Sequence, residues 1–170
     1  MPVPVMPAPV MSDQIAIRQE RADQPDVMAL LDELDRYLAS LYPPEANFIL
    51  DVQALLAPEV SFFTARDGNQ PVGTGAVRRM RGEPATGGVP YGEIKRMYVD
   101  PARRRERIGA RLLATLEDAL RAHGLRLALL ETGPEQTDAV RLYERCGYTR
   151  RGVFGLYPDN GLSVYYTKVL

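Results

Sequence analysis

Tryptophan is absent from this chain, and cysteine and histidine occur once each, as Cys146 and His123. A single thiol cannot close an intramolecular disulfide, and one thiol with one imidazole cannot assemble a Cys/His metal site, so no metal is expected. No apolar run approaches the roughly 18 residues that a membrane-spanning helix needs. Neither sign of charge prevails: 21 basic residues stand against 22 acidic ones, and the pI is near 5.9. That balance argues against a dedicated nucleic-acid binder. The opening MPVPVMPAPV alternates proline with small apolar residues and lacks the positive n-region of a secretory signal. Residues 1–12 are therefore expected to be a disordered tail, and a reduced, cytoplasmic setting is the default expectation.

What remains is ample for one core. The apolar content is 45% of 170 residues, and one domain is expected over 13–170. A short strand at Ile15 and Ile17 precedes a helix that Pro25 can open, with the stripe Val27, Leu30, Leu31, Leu34, Leu38 and Leu41 ending at Pro43 and Pro44. Asp51 reads as the N-cap of a second, short helix over Val52 to Leu56. Strands at 60–66 and 71–80 flank Asp67-Gly68-Asn69, a hairpin signal, and Gly73 and Gly75 inside the second strand suggest a close neighbour or a bend. Residues 81–90 are rich in glycine and proline and read as a mobile loop. Leu125 to Glu131 is a nearly continuous apolar run, as in a strand covered on both faces. A helix over about 135–145 with Gly147 at its C′ position follows, and strands at 148–153 and 162–169 close the chain.

The stretch Tyr91 to Glu117 organises the rest. It reads as a strand, an arginine-rich loop and a helix whose apolar face is Ile108, Leu112, Leu113, Leu116, Ala119 and Leu120, with Gly124 ending it. The helix opening near Glu106 to Gly109 presents unpartnered N–H groups and the positive end of the macrodipole among Arg103, Arg104, Arg105 and Arg107, which is a setting for a phosphate. In the strand, strict alternation would put Ile94 on one face and Met97 and Val99 on the other. A bulge between them returns all of these to the core and leaves backbone groups unpaired for a ligand.

The segment V-x-P-x-x-R-x-x-x-I-G-x-x-L-L, Val99 to Leu113, resembles the diphosphate-binding signature of the GNAT superfamily of acyl-CoA-dependent N-acyltransferases. Arg104 and Gly109 match the ends of that signature, while Arg107 stands where the family usually has glycine. The order of elements over 15–169 resembles the same family, and YPPE, GEIKRMYV, LETG, LYERCGY and FGLYPDNGLSVYYTKVL resemble its small bacterial YsnE-type branch. The likeness implies an α+β fold with a mixed, mostly antiparallel sheet of about six to seven strands, about four helices and a bulged central strand. It implies acetyl-CoA as acyl-donor cosubstrate, held by Met97, Tyr98 and Val99 on the strand, by Arg104, Arg105, Arg107, Ile108, Gly109 and Ala110 at the helix opening, and by Gln136.

Acyl transfer from a thioester to an amine needs a neutral amine, a stabilised oxyanion and a proton for the thiolate. The segment around Tyr143 resembles the one from which the family's general acid comes, and a phenol of pKa about 10 can donate to a thiolate. A core-edge tyrosine is the plain alternative. Glu93, at a position from which family members project a carboxylate, is the candidate base, against the alternative of an ion-paired strand residue beside Lys95 and Arg96. Tyr42 and Glu45 in the stiff YPPE link, with Tyr157 in the closing turn, are candidate walls of an acceptor pocket, against the alternative that the link is a plain turn. Arg78 and Lys95 suggest an acceptor bearing a carboxylate or phosphonate, unless they are solvated strand faces. The leading expectation is N-acetylation of the primary amine of a small amino-acid-like or other small-molecule acceptor by direct transfer in a ternary complex, with no nucleic-acid or membrane partner and a homodimer left open. A protein acetyltransferase and a non-catalytic acyl-CoA sensor are the alternatives.

Overall fold

The computed structural model describes residues 14–170, so the expected tail lies outside the described residues. The strands are β1 (Ile15–Gln19), β2 (Val60–Asp67), β3 (Gln70–Met80), β4 (Tyr91–Val99), β5 (Leu127–Thr132), β6 (Thr149–Arg151) and β7 (Val164–Val169). They form one 7-stranded sheet in the order β1-β2-β3-β4-β5-β7-β6. The β4/β5 pair is parallel and the other neighbours are antiparallel. The helices are α1 (Pro25–Leu41), α2 (Val52–Leu55), α3 (Ile108–Ala122) and α4 (Thr137–Arg145). This is the α+β architecture expected from the sequence.

Local chemistry sets most boundaries. Pro25 opens α1 with its φ already helical, and Asp26 sits at the positive end of the dipole. Asp51 caps α2 by accepting from the Ala54 N–H at 2.8 Å. Gly124 and Gly147, with φ of +74° and +90°, take the left-handed turn that ends α3 and α4. On one face of the sheet Ile108, Leu112, Leu113, Leu116 and Leu120 of α3 pack against Val77, Ile94 and Leu130. On the other, Val27 and Leu31 of α1 cover Phe62 and Ala76, while Leu30 and Leu34 cover Tyr98.

Several expectations are corrected. Leu41, the far end of the α1 stripe, is exposed. Within the loop 81–90 the chain makes a 3-10 turn over Pro84–Thr86, closed by a capping box between Glu83 and Thr86. The Glu83 carboxylate also accepts from the Tyr91 hydroxyl at 3.2 Å and the Gly155 N–H at 2.6 Å, which ties this turn to the β6–β7 connection. β6 is shorter than expected because the chain leaves the sheet to bury Phe154 beside Tyr91, Leu129 and Tyr165.

The bulge is present in β4. Thr74 registers with Tyr98 and Ala76 with Lys95, so Gly75 faces both Arg96 and Met97. Arg96 has φ of +56°, a conformation that costs an ordinary L-residue about 1–2 kcal/mol. The extra residue restores parity, and Met97 and Val99 join Ile94 against the α3 side of the core. Gly75 is what allows this: a Cβ there would lie 2.9 Å from Met97 Sδ and 3.1 Å from Leu116 Cδ1. β4 and β5 register only at Gly92/Ala128 and Glu93/Leu129, after which the strands part.

Candidate active site

The parting of β4 from β5 opens a cleft in the middle of the sheet. Lys95, Arg96 and Met97 line one wall, Glu131 and Tyr143 the other, and Tyr42 and Phe48 from the link after α1 close over it. Strand separation is the cause. With its neighbour gone, the β5-facing edge of β4 presents backbone groups that no ladder satisfies. The Asp100 N–H donates to Val72 O at 2.8 Å, so Asp100 and Tyr98 face β3, and by alternation the N–H and C=O of Met97 and Val99 face the cleft.

The arginine-rich segment leads into the N-terminus of α3. Ile108, Gly109 and Ala110 begin the helix, so their N–H groups have no intrahelical acceptor. Arg104, Arg105 and Arg107 are exposed around them. Arg104 reaches Asp138 only at 3.8 Å, and among the described residues Arg105 and Arg107 form no ion pair. Arg103 is different, being held by Asp67 at 2.8 Å and Glu106 at 2.6 Å. Arg107 is the N-cap, with φ of +61°. The left-handed turn explains why glycine suits this position, and here an arginine makes the same turn. Gly109 keeps α3 and α4 close: a Cβ would sit 3.0 Å from Leu142 Cδ2. Arg104 Nε also donates to Val99 O at 3.4 Å, which links this segment to the strand edge. Two guanidiniums without an ion pair, helix N–H groups without an intrahelical acceptor and the parted strand edge fit the diphosphate and pantetheine of coenzyme A.

Tyr143 is 6% exposed and lines the cleft, with its ring 5.9 Å from that of Tyr148. No group among the described residues claims its hydroxyl. Burial, and secondarily the Glu131 charge, pushes the phenol pKa well above its ordinary value, so the proton is retained throughout the neutral range. Gln136 precedes α4 at the cleft, and Tyr42 donates to Glu135 at 3.0 Å. Tyr42 lies so close over Gly133 that a Cβ there would be 1.5 Å from its hydroxyl oxygen. Burial pushes the Tyr42 pKa up to about 12.

Other sequence candidates are placed differently. Glu93 is buried and receives a short hydrogen bond from the Tyr157 hydroxyl, with Lys95 Nζ 3.5 Å away. Lys95 donates to Tyr157 Oη at 2.9 Å and to Phe48 O at 3.1 Å, so its charge is committed within the protein. Tyr157 thus serves as a bracket, stacked edge-on against Phe48 at 5.2 Å. Glu45 is exposed outside the cleft, and Arg78, which stands opposite Glu93 in the β3/β4 backbone register, is not among the lining residues. Tyr98 is a core residue beneath α1, because its backbone faces β3 and its ring packs with Leu30 and Leu34.

Glu131 was not singled out by sequence reasoning. It ends the apolar run of β5, faces the cleft, and has one oxygen held by Ser163 Oγ at 3.0 Å. Burial raises its pKa, opposed by the Ser163 hydrogen bond and the Lys95 charge. A lone carboxylate closing a buried apolar strand was the available signal.

Residues 27–148 match the model of the acetyltransferase (GNAT) family. The chain belongs to that family. It is 44% identical over 156 residues to a protein of Azospirillum brasilense named IAA acetyltransferase, covering 92% of this chain and 98% of that one. An uncharacterized N-acetyltransferase of Bacillus subtilis, YsnE, is 27% identical, covering 85% and 92% of the two chains. A structure from Klebsiella pneumoniae assigned as an acyl-CoA N-acyltransferase superposes with a TM-score of 0.75 at 31% identity, covering 92% and 97%. An aminoglycoside 6'-N-acetyltransferase complexed with coenzyme A shares the fold at a TM-score of 0.66 and 21% identity, covering 91% and 96%. As a member of this family the chain is an N-acetyltransferase that uses an acyl-CoA cosubstrate. Among the described residues no helix is long and apolar enough to cross a membrane, and no group of three or more His, Cys, Asp or Glu side chains could hold a metal ion.

Proposed function

We propose that this GNAT enzyme acetylates the primary amine of a small, amino-acid-like acceptor by direct transfer within a ternary complex. The carrying observation is the unclaimed, protonated Tyr143 hydroxyl in the cleft opposite the β4 bulge. It is in place to protonate the coenzyme A thiolate as the thioester breaks. The Met97 N–H, facing the cleft, polarises the thioester carbonyl, and the α3 opening with its arginines holds the diphosphate.

Two carboxylates compete for the base. Glu93 is bonded to Tyr157 and paired with Lys95, whereas Glu131 borders the cleft with one oxygen free of any partner among the described residues. That difference favours Glu131 for accepting the amine proton, directly or through water, with Glu93 fixing the wall.

The closed end of the cleft supports a small acceptor over a peptide. Tyr42 is tied to Glu135 and Phe48 is stacked on Tyr157, so the link after α1 does not form an open groove. The test is thiol release from acetyl-CoA with a panel of amines, amino acids, IAA and short peptides. Release with a small amine is expected. Release with peptides alone would move the assignment to a protein acetyltransferase, and cofactor binding without release from any acceptor would leave a sensor.

A further inference from the structure

The bulge that aims Met97 at the cleft is itself held by a group outside the cleft. At Arg96 the ladder slips, and the residue adopts φ of +56°. Its carbonyl accepts from the Thr74 hydroxyl at 2.9 Å, a side-chain bond in a region of backbone pairing. Thr74 is wholly buried on β3, so no water can replace it without opening the core. The Arg96 side chain is anchored separately: Nη1 donates to Asp35 Oδ1 of α1 at 2.5 Å.

A peptide group is planar and trans, so its C=O and the following N–H point in opposite directions. Fixing the Arg96 carbonyl toward Thr74 therefore fixes the Met97 N–H away from β3, toward the splayed side. From this we infer that Thr74 is a positioning residue for acyl transfer: its hydroxyl locks the Arg96–Met97 peptide so that the Met97 N–H is held ready for the thioester oxygen. The inference rests on the oxyanion role given above to the Met97 N–H. A left-handed residue at the slip is poorly placed to hold such a plane by itself, since neither Arg96 nor Met97 has a registered partner on β3. Preorganisation of the donor is what makes it worth more than a water, and Thr74 supplies that preorganisation without touching either substrate.

The test is isotope-edited infrared difference spectroscopy of acetyl-CoA, labelled at the thioester carbonyl and bound to the enzyme with no acceptor present. The wild type is expected to shift the carbonyl stretch to lower frequency than in water. Thr74→Val, which keeps the shape and removes the hydroxyl, should lose most of that shift while binding acetyl-CoA within about threefold of the wild type. With an acceptor from the amine panel its kcat should fall about tenfold to a hundredfold. Thr74→Ser restores the donor and should restore the shift, and it keeps the question answerable if the valine variant does not fold. A full shift in folded Thr74→Val, or its loss in folded Thr74→Ser, overturns the positioning role alone. No shift in the wild type overturns the Met97 oxyanion reading and the inference with it.

Discussion

The Tyr157 hydroxyl donates to the Glu93 carboxylate across 64 positions of sequence, and the same oxygen accepts from Lys95. Burial and the Glu93 charge raise the Tyr157 pKa, so the bond is made by a neutral phenol. Removing it in Tyr157→Phe leaves a buried carboxylate with Lys95 as its remaining partner. The expected cost is about 1–3 kcal/mol in urea unfolding, with acetyl-CoA affinity unchanged. Stability equal to the wild type would return Glu93 to the place of catalytic base.

Tyr143→Phe keeps the ring packing against Tyr148 and Tyr166 and removes the cleft hydroxyl. Turnover should fall about a hundredfold or more while acetyl-CoA binds as before. Calorimetric titration and thiol-release kinetics separate the two. Unchanged turnover would end the general-acid assignment.

Glu131 should reveal itself twice in pH profiles. As a base it works when ionised, so kcat/KM for the acceptor should rise with pH along a limb lying above the ordinary carboxylate range, and Glu131→Gln should lack that limb. Its folded-state pKa exceeds the unfolded one, so the native state binds the proton more tightly. The resulting stability penalty is absent below the unfolded pKa, grows as pH rises through the window, and is complete above the folded pKa. Glu131→Gln should therefore raise the neutral-pH unfolding midpoint while lowering activity. A variant that is less stable at neutral pH would contradict the burial argument.

Arg107 spends backbone strain at the opening of α3. Arg107→Gly relieves a φ of +61° but deletes an exposed cation beside the α3 N–H groups. Because glycine also carries more unfolded-state entropy, stability should change by less than about 1 kcal/mol. Affinity for coenzyme A should drop about threefold to tenfold, with a weaker salt dependence. Tighter binding would show that the guanidinium obstructs the diphosphate.

The sequence by itself determined most of the elements and several of their ends. Pro25, Asp51, Gly124 and Gly147 act within a turn of their own positions, and the parity of Ile94, Met97 and Val99 required a bulge because side chains in a strand alternate. The arginine cluster before Ile108 was legible for the same reason, since it acts on the helix opening a few residues away. Tertiary structure alone decided which carboxylate faces the cleft. Glu93 and Glu131 sit on neighbouring strands, and their difference comes from Tyr157, Lys95 and Ser163, brought in by the β6–β7 connection and by where β4 leaves β5. Burial and hydrogen-bond partners of charges are long-range properties, and short-range spacing carries no record of them.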